Sequence, residues 1–211
     1  MFAAMEHVQT DVLVVGSEGA GARAAIEVEA QGKKAILASK GIFGGSGVTL
    51  MAPFSCCAAF GHEDPRDNPD VHFEDTVVGG KFLNNQELVE VFAKESPKYI
   101  LDLESYGAKF EKREDNRFVQ ATMPGHRYAR AVYYDFSTGL QFRKGLKREV
   151  KRRQIRVWED FFVIDVLVSD GRVSGVLALD IRTGKFVVVE CKAVILATGG
   201  NLELYYPHND G

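Results

Sequence analysis

The 211-residue sequence has only three cysteines, two of them adjacent (Cys56, Cys57). That excludes a disulfide framework and a spaced metal site. It suits a reducing cytoplasm, with the thiols buried as small hydrophobes. No apolar run approaches the roughly 20 residues of a membrane-spanning helix. Met1–Thr10 is mixed and polar and does not read as a secretory leader. Neither sign of charge dominates. The net is −3, so no bulk electrostatics draw the chain to nucleic acid or an acidic membrane. The basic run Arg143–Arg153 is the exception, and reads as the solvated face of a surface helix.

What is present begins at Asp11–Gly21, D-V-L-V-V-G-S-E-G-A-G. An aliphatic run (Val12–Val15) stops at Gly16, and an Ala-rich helical pattern opens at Gly21. A buried strand, a tight turn and a helix N-terminus place backbone N–H groups and a helix dipole where a pyrophosphate can sit. By itself this is a weak motif, since similar turns occur where nothing binds. Thr10–Val15 is expected as the first strand and Gly19–Gln31 as the first helix, with Gly32 at its C-cap. Lys34–Ala38 is the second strand, which closes a βαβ unit. A dinucleotide fold often ends this strand with an acidic residue for the ribose. Here Ser39 and Lys40 follow, which disfavours an NAD-dependent dehydrogenase.

Gly41–Thr49 carries four glycines in seven residues (Gly41, Gly44, Gly45, Gly47). It is either a flexible loop or a place where backbone approaches something flat and bulky. Leu50–Phe60 reads as a buried helix interrupted by Pro53, and Gly61–Pro69 as a loop. Asp70 is expected to cap a helix through about Val78, and Asn84 or Asn85 a longer one. In the latter Leu88, Phe92 and Tyr99 with Val89, Ile100 and Leu103 form the apolar stripe. Pro97 should kink or split it, and Gly107 ends it. Ala108–Glu111 reads as a short strand, Asp115–Ala121 as a hairpin arm or loop, Met123–Arg127 as a turn and Tyr128–Tyr134 as a strand. Ser137 is expected to cap Thr138–Arg153. Ile155–Val157 is a third core strand. Phe161–Val168, Val173–Asp180 and Lys185–Glu190, separated by Asp170-Gly171 and Thr183-Gly184, form a three-stranded antiparallel meander. Lys192–Ala197 is a further apolar strand that stops at Thr198-Gly199-Gly200.

The order is βαβ, helical insertion, helix, strand, meander, then a strand ending A-T-G-G. With D-V-L-V-V-G-S-E-G-A-G-A-R-A-A (11–25), S-K-G-I-F-G-G-S-G (39–47), H-F-E-D-T (72–76), P-G-H-R (124–127), G-R-V-S-G-V (171–176), A-V-I-L-A-T-G-G (193–200) and the terminal N-D-G, it resembles the N-terminal half of the succinate dehydrogenase/fumarate reductase flavoprotein family. That family includes L-aspartate oxidase and is similar to adenylylsulfate reductase flavoproteins. The resemblance runs through nearly the whole chain. It implies an α/β, Rossmann-like FAD-binding domain over residues 1–211, with a parallel sheet, the inserted meander and a helical insertion. Gly16, Ser17, Glu18, Gly19, Ala20 and Gly21 would lie at the FAD pyrophosphate, and Ser39, Lys40 and Gly41 by the adenosine half. Gly45, Ser46, Gly47 and Thr49 would run along the flavin, the Val163 backbone would face the adenine, and Ala197, Thr198 and Gly199 would line the cofactor again. Asp210 matches an acidic residue of the family's T-G-D-G stretch that meets FAD.

Four departures qualify the resemblance. Glu18 stands at the second glycine of G-x-G-x-x-G, where a carboxylate would repel a pyrophosphate, so its side chain is expected to point away, toward solvent or a cation. Covalent-flavin members carry a histidine where Gly47 stands, so the FAD is expected to be non-covalent. The family's A-Q-G-G aligns with Met51-Ala52-Pro53-Phe54, which puts the dicarboxylate substrate in doubt. The capping domain, with its proton-delivering arginine, and the C-terminal region lie beyond this sequence, so the chain reads as an N-terminal fragment with negligible turnover and no catalytic residue of its own. Two functions remain open. One is the FAD domain of an oxidoreductase that passes hydride between flavin and a dicarboxylate. The other is a silent FAD-binding module that assembles with an iron–sulfur partner. A cytoplasmic location is expected, with any membrane association through a partner protein.

Other residues have competing readings. His126 could be a base, but a turn or surface role fits better. His72 and Asp75 read as a helix-surface pair rather than metal ligands. Cys56-Cys57 reads as two buried thiols rather than a redox pair. Arg127 and Arg130 either receive an anion or face solvent.

Overall fold

The computed structural model describes residues 5–200. Its elements in chain order are β1 (Glu6–Gln9), β2 (Val12–Val15), α1 (Gly19–Ala30), β3 (Ala35–Ala38), α2 (Val48–Met51), β4 (Cys56–Cys57), α3 (Pro69–Gly79) and α4 (Gln86–Ser105). Then come β5 (Gln120–Ala121), β6 (Ala131–Val132), α5 (Thr138–Arg152), β7 (Arg156–Trp158), β8 (Phe161–Ser169), β9 (Arg172–Asp180), β10 (Lys185–Glu190) and β11 (Ala193–Leu196). The chain divides into two compact units. One runs up to Met51 and resumes at Leu146, and the other is Ala52–Gly145.

The first unit holds a parallel sheet in the order β11-β2-β3-β7 and a second sheet in the order β1-β10-β9-β8. Strands β2 and β3 carry aliphatic residues on both faces, as buried parallel strands must. Leu13, Val14 and Leu37 are fully buried. One apolar cluster is shared by the two sheets. It joins Leu13, Ile36 and Ala38 to Phe161, Val176, Ala178, Val187, Val189 and Cys191. Against β2 and β3 packs α1, through its small buried face of Gly21, Ala22, Ala25 and Ile26. Gly32 follows α1 with φ +71°, just past the capping residue Gln31. The meander is as expected but gains a fourth strand. β1 pairs parallel with β10, Glu6 opposite Val187 through Gln9 opposite Glu190. Its mixed sequence carries no strand period, and only the open edge of β10 selects it.

The basic run on α5 is partly solvated and partly employed. The buried Glu149 carboxylate accepts from Arg152 and Arg153, which hold its pKa down to about 2. Arg153 also pairs with Glu29 of α1 at 2.6 Å.

The second unit departs further from the sequence-based expectation. Leu50–Phe60 is not a buried helix. It is the short α2, an exposed turn (Met51 75%, Phe54 64% exposed) and strand β4. Pro53 cannot donate within a helix, and here its carbonyl instead accepts from Thr138 N–H. The cap of α3 is Asn68, not Asp70. Its side chain accepts from the Asp70 and Val71 amides, with Pro69 at the first helical position. Asn85 caps α4 through Leu88 N–H, and the helix runs unbroken through Pro97. Its buried face is Val89, Ala93, Ser96, Ile100 and Leu103, whereas Leu88 (67% exposed) and Tyr99 lie on the open side. Gly107 takes φ +98° just beyond the end of α4. Ala108–Glu111 is not a strand, and a single bridge pairs Lys112 with Phe118. Tyr128–Tyr134 contributes only β6, which pairs with β4 and β5 in the order β4-β6-β5. Cys56 and Cys57 are half-buried and Cys191 is buried; all three are free thiols.

Candidate cofactor site

The site belongs to the first unit and follows from parallel pairing. Because β11, β2, β3 and β7 run the same way, their carboxyl ends lie along one edge, where open α/β sheets bind ligands. Gly16, Ser39, Glu159 and Ala197 are the first residues past those ends. Backbone hydrogen bonds fix three of them there: Gly16 N–H to Ala38 O (2.9 Å), Ser39 N–H to Trp158 O (2.8 Å) and Ala197 N–H to Val15 O (2.7 Å). Gly16 has φ +101°, and a Cβ there would lie 2.1 Å from Ala197 O. A Cβ on Gly21 would lie 1.8 Å from Gly16 O. Only glycine lets the strand turn this tightly into α1.

The segments are tied to one another by side chains. Buried Ser17 donates to the buried Ser39 hydroxyl at 2.8 Å. Gly19 N–H donates to Thr49 Oγ1 at 3.1 Å, which joins the start of α1 to α2. The N-cap residue Glu18 makes no side-chain cap of α1, so the first-turn amides beyond Gly19 suit an anion. Ala20 is exposed at that end. Glu18 is half-buried rather than fully exposed. Its side chain lies over Gly47, where a Cβ would meet Glu18 Cγ at 2.6 Å and its carboxyl carbon at 3.3 Å.

Lys40, Gly45, Ser46 and Gly47 are exposed, and a Cβ on Gly41 would meet nothing within 4 Å. Thr198 and Gly199 are exposed beyond half-buried Ala197. Phe161 N–H donates to Ser39 O at 2.8 Å, so β8 starts at this edge with Val163 two residues into it. The predicted residues from Gly16 to Gly199 thus gather around one edge. Asp210 lies outside the described residues. The glycine-rich turn, the open α1 terminus and the second glycine loop fit a long, thin dinucleotide that needs several close backbone approaches.

Two residues were missed. Glu159 Oε1 accepts from Phe43 N–H (2.9 Å), and Lys147 Nζ donates to Phe43 O (2.8 Å) while standing 5.3 Å from its ring centroid. Glu159 could have been flagged, since it follows a parallel strand as Gly16 and Ser39 do. Lys147 gave no signal within its basic run.

The second unit contains a separate polar cluster. His72 and Asp75 are buried, not a surface pair. Arg130, fully buried, pairs with Asp67 and Asp75, both at 2.8 Å. Arg127 donates to Asp75 and Glu74 at 2.6 Å. These contacts give both arginines structural partners. Burial pushes the Asp75 pKa up, but hydrogen bonds from Arg127 and the Arg130 charge outweigh it and hold the carboxyl low. His126 Nε2 stands 3.8 Å from Cys57 Sγ. Among the described residues no group of three or more His, Cys, Asp or Glu side chains is placed to hold a metal.

The family described as FAD binding domain matches residues 11–210. A component of the fumarate reductase (CoM/CoB) of Methanothermobacter marburgensis is 41% identical over 197 residues, covering 93% of this chain and 36% of that protein. The fumarate reductase flavoprotein subunit of Escherichia coli is 31% identical over 210 residues, covering 98% and 34%. The solved Mycobacterium smegmatis Sdh1 complex with UQ1 superposes with a TM-score of 0.91 at 34% identity, covering 95% of this chain and 35% of that one. The chain therefore spans about a third of the length of the relatives it matches. The chain belongs to the FAD-binding-domain family of fumarate reductase and succinate dehydrogenase flavoproteins.

Proposed function

We propose that this chain is the flavin-holding domain of an oxidoreductase that exchanges hydride between FAD and a dicarboxylate. The observation that carries this reading is the convergence of Gly16–Gly21, Ser39–Thr49 and Ala197–Gly199 on one sheet edge, already tied together by Ser17–Ser39 and Gly19–Thr49. FAD, when bound, supplies hydride transfer at its isoalloxazine ring. The chain's part is to bind and orient. First-turn amides of α1 meet the pyrophosphate, the buried Ser17–Ser39 pair fixes the adenosine end, and the Gly45–Thr49 segment lies along the flavin. Gly47 offers no nucleophilic nitrogen, so we infer non-covalent FAD.

Matched relatives are named as subunits, which supports a partner, and we propose an iron–sulfur protein in that place. Among the described residues no helix is long and apolar enough to cross a membrane. We propose a cytoplasmic location, with membrane contact through a partner. The second reading is a silent FAD-binding module that serves assembly with such a partner.

One preparation tests both readings. The purified chain is titrated with FAD, its flavin release on acid denaturation is measured, and fumarate reduction by a reduced dye is assayed. Bound, fully released flavin without turnover supports a FAD domain whose reaction needs more of the protein. Flavin that stays attached to denatured chain overturns the non-covalent assignment. Absence of any FAD binding overturns the functional reading itself.

A further inference from the structure

A loop with four glycines in seven residues should sample many conformations, because each glycine loses much freedom on ordering. Phe43 and Gly44 are nevertheless buried while Ile42, Gly45, Ser46 and Gly47 are exposed. Phe43 is held on three sides. Its N–H donates to Glu159 at 2.9 Å, its carbonyl accepts from Lys147 at 2.8 Å, and its ring faces the same ammonium. Gly45 N–H closes a turn back to Ile42 O at 2.9 Å, so the fixed point extends to the start of Gly45–Thr49. Hydrogen bonds to charged side chains are stronger than neutral ones, and two on one residue's backbone fix its position and its direction.

We propose that Glu159 and Lys147 are positioning residues for the flavin: they clamp Phe43 and thereby set where Gly45–Thr49 meets the cofactor. The proposal rests on the FAD reading above. Glu159 arrives from the carboxyl end of β7 and Lys147 from α5, so a fourth parallel-strand junction joins the site without touching the cofactor. The clamp acts through a backbone amide, so a neutral acceptor of the right reach at position 159 keeps most of it, although the charge strengthens the bond.

The test uses the whole chain with three measurements: FAD titration by flavin fluorescence, amide hydrogen exchange over residues 41–47, and the urea midpoint of the flavin-free chain. Glu159→Ala and Lys147→Met are each expected to weaken FAD binding by about tenfold, in line with one lost charge-assisted bond. Exchange at Phe43 and Gly45 should quicken while the urea midpoint stays close to that of the parent. Glu159→Gln, which keeps the acceptor, should stay within about threefold of the parent, and the double variant should lose less than the product of the singles because both act on Phe43. Unchanged affinity and exchange overturn the clamp. So does a loss of affinity that only tracks a fall in the urea midpoint, or a Gln variant as weak as the Ala variant. If the parent chain binds no FAD, the FAD reading fails, and the exchange measurement alone decides the clamp.

Discussion

The Glu18 side chain lies where a side chain on Gly47 would stand, its Cγ 2.6 Å from a Cβ placed there. Glu18 sits where a glycine is usual in a pyrophosphate turn, yet it is folded across to the neighbouring loop. Glu18→Gly is therefore expected to change FAD affinity by less than about tenfold, the effect of losing a repulsion of roughly one charge at a distance. A larger gain in a titration would show that the carboxylate faces the phosphates. In the second unit His72 makes a pH-dependent contribution. It is fully buried, its edge against Phe92. Burial first, then the Arg130 charge and His126, lower its pKa from 6.5 to about 4, while Asp75 opposes them. The unfolded chain takes up this proton below pH 6.5 and the folded chain does not until about pH 4. Stability should therefore fall as pH drops through that window, by an amount of order 3 kcal/mol at most, and stay flat above it. Urea midpoints for the parent and His72→Leu, measured from pH 7 to 4, should diverge in slope, with the variant less pH-sensitive. Parallel slopes would remove His72 from the account. His126 titrates with the same sign, its pKa lowered chiefly by burial, so a residual slope is expected in the variant.

At the scale of elements, α4 shows why a periodic pattern can be read one face too far. Leu88, Phe92 and Tyr99 are larger than the Ala93 and Ser96 that are buried. Size favours the first set, but α3 packs against α4, and close helix approach favours small residues. The 89-93-96-100-103 spacing was legible, and which of two overlapping stripes faces a neighbour was not. Ile100→Ala should destabilise the chain by about 2–4 kcal/mol and Leu88→Ala by less than about 0.5 kcal/mol. Equal shifts in urea midpoint would contradict this orientation. Strands with their own pattern were read well. β8, β9 and β10 lie within a residue of expectation because the Asp170-Gly171 and Thr183-Gly184 turns punctuate them. The Leu50–Phe60 helix failed because small apolar residues suit a buried strand and turn as readily as a helix.

For the whole molecule, β1 is the element whose loss tests the assembly of the first unit. Deleting residues 1–9 removes the Val8 side chain from beside the core and uncovers the edge of β10. Stability should fall by about 2 kcal/mol, and the bare edge should promote concentration-dependent association, measurable by urea unfolding and light scattering. An unchanged midpoint would make β1 an ornament of the sheet. The sheet edge proposed for the cofactor was largely legible as an edge, because a strand that stops at glycine and a helix that starts after it are local events. The sequence alone determined the parallel βαβ unit, the meander and the residues that gather at the strand ends, since hydrophobic period and glycine placement act within a few residues. Tertiary structure decided the rest. It folded Glu18 onto Gly47, recruited Glu159 and Lys147 to Phe43, buried His72 against Phe92 and His126, and Arg130 between Asp67 and Asp75, and selected β1. Each of these depends on partners tens of residues or more away in the chain, which no local pattern encodes.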